Sequence, residues 1–282
     1  TPHAGGANRV GITGAPGAGK STFIDALGVQ LCESGKRVAV LSVDPSSPVT
    51  QGSILGDKTR METLARQPQA FIRPSPSGGE LGGVARRTRE TIVLCEAAGF
   101  EIVLVETVGV GQSEILVRGM VDCFLVLLLA GAGDELQGIK KGLLELADIL
   151  TVNKADGDNR TRAEATRREF SRALHYLAPP AGMWQPPVLA CSSITGDGVA
   201  DVWVKVEEFL KLGRGNGEFT TRRQSQAHAW LNAIIAEGLH EFYTRRNGLT
   251  PLETEIIAQV RSGQLPAPEG AHRLLAAAGF IS

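Results

Sequence analysis

Gly14-Ala15-Pro16-Gly17-Ala18-Gly19-Lys20-Ser21 has the spacing G-x-x-x-x-G-K-S, and the residues on either side decide how it folds. Before it, Arg9–Thr13 is a short apolar run that reads as a buried strand. After it, Lys20–Glu33 has helical periodicity. A glycine-rich turn between a strand and a helix aims successive backbone N–H groups, and the positive end of the helix, at a phosphate. In such a loop Gly14, Ala15, Pro16, Gly17, Ala18, Gly19, Lys20, Ser21 and Thr22 line the phosphate site. Lys20 reaches the terminal phosphates and the Ser21 hydroxyl ligates Mg²⁺.

Outward from this loop, apolar runs alternate with helical stretches. Strands are predicted at Arg37–Val43, Ala70–Ile72, Glu101–Glu106, Cys123–Ala130, Ile149–Asn153 and Pro187–Cys191. Helices are predicted over Asp57–Arg66 and Val84–Ala98. Dense Val, Ile and Leu suit strands covered on both faces, so the expected fold is α/β, a mainly parallel sheet flanked by helices. From Arg222 the character changes. Ala227, Trp230, Leu231, Ile234, Ile235, Leu239, Phe242 and Tyr243 recur at steps of three and four, the mark of an amphipathic helix. Pro251–Arg261 and Ala271–Gly279 read as two more, separated by a Pro-containing break at Leu265–Pro268. Gly213–Gly217 marks the junction, giving a domain over 1–213 and a helical extension over 214–282. A packing helix and a dimer arm are both open readings of that extension.

Asn153-Lys154-Ala155-Asp156 follows the Ile149–Asn153 strand. A carboxylate at Asp156 can accept both N1 and N2 protons of guanine, a donor pair that adenine lacks. Lys154 can lay its stem on the base, and Asn153 can bond the loop and the base edge. Ser192, Ser193 and Ile194, after the last strand, stand where backbone N–H groups would meet the guanine O6. Glu106 and Gly109 end the strand expected beside the phosphate loop: the carboxylate can hold a metal-bound water, and the Gly109 N–H can touch the γ-phosphate. Asp44 is a second carboxylate aimed at that region, and Asp57 is a third that reads equally as a helix cap or solvated loop acid. Within Gly131–Lys141, Asp134 reads either as a helix cap or as part of a loop that reports nucleotide state. The arginine-rich helix Arg160–Arg172 reads as a solvated face.

Composition narrows the function classes. The 282 residues carry 29 Lys and Arg against 30 Asp and Glu. That balance lacks the basic field of a nucleic-acid binder, so no nucleic-acid partner is expected. The Cys123–Ala130 run is too short to span a bilayer, and the start of the chain has no secretory pattern. Cys32, Cys95, Cys123 and Cys191 lie far apart, with no metal-ligand spacing, as expected of buried thiols in a reducing, cytoplasmic setting.

Gly14–Thr22, Val43–Ser47, Gly52–Arg60, Phe71–Ser75, Glu106–Ser113, Gly131–Gly142 and Asn153–Asp156 together resemble the G-protein chaperones of methylmalonyl-CoA mutase, the MeaB, MMAA and ArgK-type family. The resemblance implies a SIMIBI-class GTPase binding GTP or GDP with Mg²⁺, and acting on an adenosylcobalamin-dependent acyl-CoA mutase. In that family the chaperone gates cofactor delivery from an adenosyltransferase and protects the mutase. It further implies that Ser21, Asp44, Asp57 and Glu106 form the Mg²⁺ site, with Lys20, Asp57, Glu106 and Gly109 in the catalytic set. Gly131–Lys141, including Lys140, would be a third switch, and the C-terminal helices a homodimerisation arm. Ala130 departs from the family's usual Pro. A metallochaperone GTPase for nickel or cobalt, a P-loop small-molecule kinase, and a module using nucleotide only as a structural ligand are the alternatives. The scattered His and Cys weigh against the first of these, and the guanine-type reader against the second.

Overall fold

The computed structural model describes residues 4–43, 60–74, 81–107, 113–130, 141–176, 183–244 and 250–280. By compactness the chain divides into two units, 1–226 and 227–282.

The first unit is built on seven strands: β1 (Asn8–Gly14), β2 (Val38–Val43), β3 (Ala70–Arg73), β4 (Ile102–Thr107), β5 (Cys123–Leu129), β6 (Ile149–Asn153) and β7 (Val188–Ala190). They form one sheet in the order β3-β2-β4-β1-β5-β6-β7. Every pair is parallel. The crossover helices are α1 (Lys20–Glu33), α2 (Glu62–Ala65), α3 (Leu81–Ala97), α4 (Ser113–Arg118), α5 (Lys141–Leu146) and α6 (Arg160–Tyr176), and α7 (Val199–Gly215) follows the last strand. Apolar side chains alternate to the two faces, producing two cores. Val10, Ile12, Val38, Val40 and Leu104 pack with α1 and α7 residues, while Val103, Val105, Phe124 and Val126 pack with those of α3 and α6. Because all strands run the same way, their carboxyl ends share one edge, where an open α/β sheet binds its ligand.

Two helix predictions change. The helix expected over Asp57–Arg66 is confined, among the described residues, to α2. Met61, fully buried, holds a non-helical backbone at φ −129°, so the helix begins only after it. Leu64 of α2 then packs onto Gly28 of α1, where a Cβ would come within 2.5 Å of the Leu64 side chain.

The chain turns at Asn216-Gly217 into α8 (Glu218–Thr244), whose first residues belong to the first unit. Arg223 donates to both carboxylate oxygens of buried Asp122 and to the Ala7 carbonyl. The Gln226 amide donates to the Val121 carbonyl. In the second unit, α9 (Thr250–Arg261) and α10 (Ala267–Ala277) pack through Gly270, beside Ile256 and Val260. The expected break at Leu265–Pro268 is shorter than predicted. Pro266 is the N-cap and Pro268 sits in the first turn, where its missing N–H removes no hydrogen bond, so α10 starts at Ala267. Leu231, Ile235, Leu239 and Phe242 form an exposed stripe along α8.

Candidate functional site

The phosphate loop leaves β1 at Gly14. Its backbone has φ +153°, and a Cβ there would lie 2.3 Å from the Leu127 carbonyl of β5, so only glycine lets the loop rise so close to the neighbouring strand. Gly19, at φ +83°, is the N-cap of α1. A Cβ on it would meet the Asn153 Nδ2 at 2.6 Å. The Ala18 N–H closes a turn onto the Ala15 carbonyl. Lys20 opens α1 and is 8% exposed. Its Nζ donates to the Gly14 carbonyl at 2.8 Å and the Ala15 carbonyl at 3.1 Å. Burial lowers its pKa, Glu106 and Glu114 draw it back up, and Arg60 lowers it further.

Ser21 Oγ donates to Glu106 Oε1 at 2.8 Å, so the α1 hydroxyl and the β4 carboxylate meet beside the loop. Next to them the Thr107 and Thr13 hydroxyls bond at 2.7 Å, locking the ends of β4 and β1 together. The Ser21 and Glu106 oxygens are hard donors of the type Mg²⁺ takes, and their meeting at the phosphate loop fits such an ion. Asp44, Asp57, Gly109 and the Gly131–Lys140 stretch with Asp134 and Lys140 lie outside the described residues. Among the described residues no group of three or more His, Cys, Asp or Glu side chains could hold a metal. All four cysteines are buried free thiols, and burial pushes Cys191 up to about 12.

Two strands away, the end of β6 makes the second half of the site. Asn153 is 1% exposed. Its Nδ2 donates to the Ala18 carbonyl at 2.9 Å, and its Oδ1 accepts from the Ser193 hydroxyl at 2.8 Å and the Ser193 N–H at 3.2 Å. Its amide thus ties the phosphate loop to the β7 loop. Lys154 has φ +61°, the only positive value at a non-glycine residue among those described. The Asn159 side chain bonds its carbonyl and supports that turn. The turn lays Lys154 against Gly19: its Cε is 3.8 Å from a Cβ built there. Asp156 Oδ2 accepts from Ser192 Oγ at 2.6 Å, which orients the carboxylate.

Ser192, Ser193 and Ile194 are not equivalent. The Ser192 N–H donates to the Asp197 carbonyl and the Ser193 N–H to Asn153. Ile194, 78% exposed, is the one of the three whose N–H is not engaged in this way among the described residues. The structure therefore brings Gly14–Thr22, Glu106, Asn153–Asp156 and Ser192–Ile194 to one edge.

Glu114 is absent from the sequence-based reading. It is 7% exposed on α4 and contributes to the field at Lys20. Nothing in its neighbourhood marks it: one acid in an amphipathic stretch carries no motif, and only the packing of α4 brings it near Lys20.

The parallel sheet and the glycine loop entering α1, with the Asn153–Asp156 loop two strands away, are those of a P-loop GTPase. The family model described as methylmalonyl Co-A mutase-associated GTPase MeaB matches residues 1–247. The chain belongs to that family. GTPase ArgK of Escherichia coli is 54% identical over 236 residues, which is 84% of this chain and 71% of that protein. The mitochondrial methylmalonic aciduria type A homolog of Mus musculus is 45% identical over 269 residues, covering 95% of this chain and 65% of that protein. A crystal structure titled LAO/AO transport system kinase aligns with a TM-score of 0.75 at 39% identity, over 97% of this chain and 82% of that one.

Proposed function

We propose that this GTPase is a cytoplasmic, Mg²⁺-dependent chaperone that gates adenosylcobalamin loading of a B12-dependent acyl-CoA mutase and protects that mutase. Methylmalonyl-CoA mutase is the first candidate client, because the matching family model is described as associated with it. The observation that carries this reading is the contact of Ser21 with Glu106: a phosphate-site hydroxyl on α1 touches the carboxylate at the end of β4, joining the nucleotide site to the sheet edge.

In this reading Asp156 accepts from the guanine edge, Lys154 covers the base and the Ile194 N–H meets O6. Gly14–Thr22 wrap the phosphates. Ser21 and Glu106, with Asp44 and Asp57, hold Mg²⁺, which supplies charge neutralisation of the phosphates. Water attacks the γ-phosphate in line, breaking its bond to the bridging oxygen and leaving GDP and inorganic phosphate. Lys20 and the loop N–H groups, with the Gly109 N–H, stabilise the charge that develops. We assign Asp57 to the attacking water. Residues 1–213 act as the GTPase domain and 214–282 as a homodimerisation arm, supported by the exposed Leu231–Phe242 stripe. An adenosyltransferase is the expected source of the cofactor.

The test is the hydrolysis rate of GTP, with ATP as control, alone and with purified adenosylcobalamin-dependent mutases. GTP-specific acceleration by one mutase identifies the client. A GTP rate that no such mutase moves removes the chaperone reading. The kinase title of the related crystal structure supports one second reading, and transfer of phosphate from ATP to a metabolite would establish it.

A further inference from the structure

On the α1 side of the sheet, neighbouring strands share one pattern. β2 presents Val38, Val40 and Ser42, and β4 presents Ile102, Leu104 and Glu106, because alternate residues face the same way. Their registers match: Val38 pairs with Ile102, Val40 with Leu104 and Ser42 with Glu106. Each strand is thus apolar until its carboxyl end, where one polar residue stands beside the other. Glu106 already meets Ser21 on that face.

Ser42 is 8% exposed, and its hydroxyl is buried with no hydrogen-bond partner among the described residues. Packing alone does not call for a hydroxyl here. The other residues of β2 are Val, Ala and Leu, all buried, and an apolar residue at 42 would leave no polar group unsatisfied. A buried polar atom without a partner calls for an explanation, and this one stands beside Glu106 at the sheet edge that carries the phosphate loop.

We propose that Ser42 is a positioning residue for the cation side of the nucleotide site. Its hydroxyl hydrogen-bonds into the Mg²⁺–nucleotide hydration shell that Glu106 holds, and so fixes the Glu106 carboxylate from the β2 side. Ser21 fixes the same carboxylate from the α1 side. The inference rests on the Mg²⁺-dependent GTPase reading above and deepens it. It also separates the two hydroxyls: Ser21 stands on the phosphate-binding helix, whereas Ser42 would reach the ion only through the water shell that Glu106 holds.

The test measures release of a fluorescent GDP analogue against Mg²⁺ concentration, with and without EDTA, for the wild-type chain and for Ser42→Ala, Ser42→Thr and Ser42→Val. Thr and Val share one shape, so their difference isolates the hydroxyl. The Ala and Val variants are expected to need roughly five- to tenfold more Mg²⁺ for half-maximal retention, the worth of about one hydrogen bond. Thr is expected to restore the wild-type half-point, and release in EDTA should be the same for all four proteins. Identical Mg²⁺ half-points for wild type and Ser42→Ala, or for Thr and Val, overturn the role of Ser42 while leaving the Mg²⁺ reading intact. Release from wild type that ignores Mg²⁺ overturns the Mg²⁺ reading itself. Because Ala is smaller than Ser and removes an unsatisfied hydroxyl, its unfolding midpoint should not fall.

Discussion

Lys20 shows how much one side chain depends on its seat. Its ammonium is nearly buried, and burial lowers its pKa; the Gly14 and Ala15 carbonyls and two nearby acids keep a cation there acceptable. Lys20→Ala removes that charge from the phosphate site and should weaken GTP binding at least about 100-fold, measured by titration with a fluorescent GTP analogue. Unchanged affinity would remove the loop from the phosphate site. Asp156 has one oxygen held by Ser192, leaving the carboxylate oriented for a paired donor. Asp156→Asn converts an acceptor into a donor, so preference should move from guanine toward xanthine nucleotides in a competition assay. At this scale the sequence was highly legible. Both motifs are contiguous, and a short loop's hydrogen bonding is set by residues a few positions apart. Glu114 and Ser42 were not legible, since each matters only through a neighbour distant in sequence.

Among the elements, the β6 end joins two loops of the site. Asn153 joins the loop after β1 to the loop after β7, across 135 and 40 residues respectively. Sequence reading gave it both the loop and the base edge. The structure shows the loop contact and extends it, making the side chain a brace between the two halves of the site. Asn153→Ala should therefore loosen both halves together. GDP affinity should fall by about tenfold or more, with roughly 1–3 kcal/mol lost in chemical denaturation, because the Ala18 carbonyl and the Ser193 groups lose a buried partner. A variant that loses base discrimination but keeps inorganic phosphate affinity and full stability would show that the brace is unimportant. The strands were read to within a residue or so from their apolar runs. The helix starts were less legible: α2 is delayed by the buried Met61 and α10 is advanced by Pro268, and both depend on what the first turn packs against.

At the scale of the whole first unit, the edge opposite the nucleotide holds a buried ionic cluster. Asp148 accepts two hydrogen bonds from Arg118 and one from the Phe124 N–H, with Arg222 of α8 at 3.6 Å. Burial raises its pKa to about 6, against the pull of both arginines; Glu218 adds a smaller push upward, and the buried Cys123 thiol lies in the same cluster. A raised carboxyl pKa means the folded state binds the proton more tightly than the unfolded chain. Its stabilising effect is complete below the unfolded value and fades as pH climbs through about 6. The pH-dependent part is up to ~3 kcal/mol at ~1.4 kcal/mol per unit. Asp148→Asn abolishes this titration, so the stability advantage of wild type over the variant should shrink between pH 4 and 6.5 in denaturant melts. An advantage that widens over that range would mean the arginines outweigh burial. Nothing in the sequence announces this cluster, because Arg118, Asp148 and Arg222 sit in three different segments.

The local order of residues determined the parallel α/β plan, the glycine loop, the guanine-type reader and the amphipathic C-terminal helix. Each is a matter of periodicity or spacing within about ten residues, where backbone geometry leaves few choices. The tertiary structure alone decided what those pieces touch: Ser21 on Glu106, Asn153 bridging two loops, Ser42 beside Glu106, and the root of α8 held on Asp122. These contacts follow from strand register and helix packing, which bring distant residues within a few ångströms by burying apolar surface on both faces of the sheet. No short-range pattern encodes that approach.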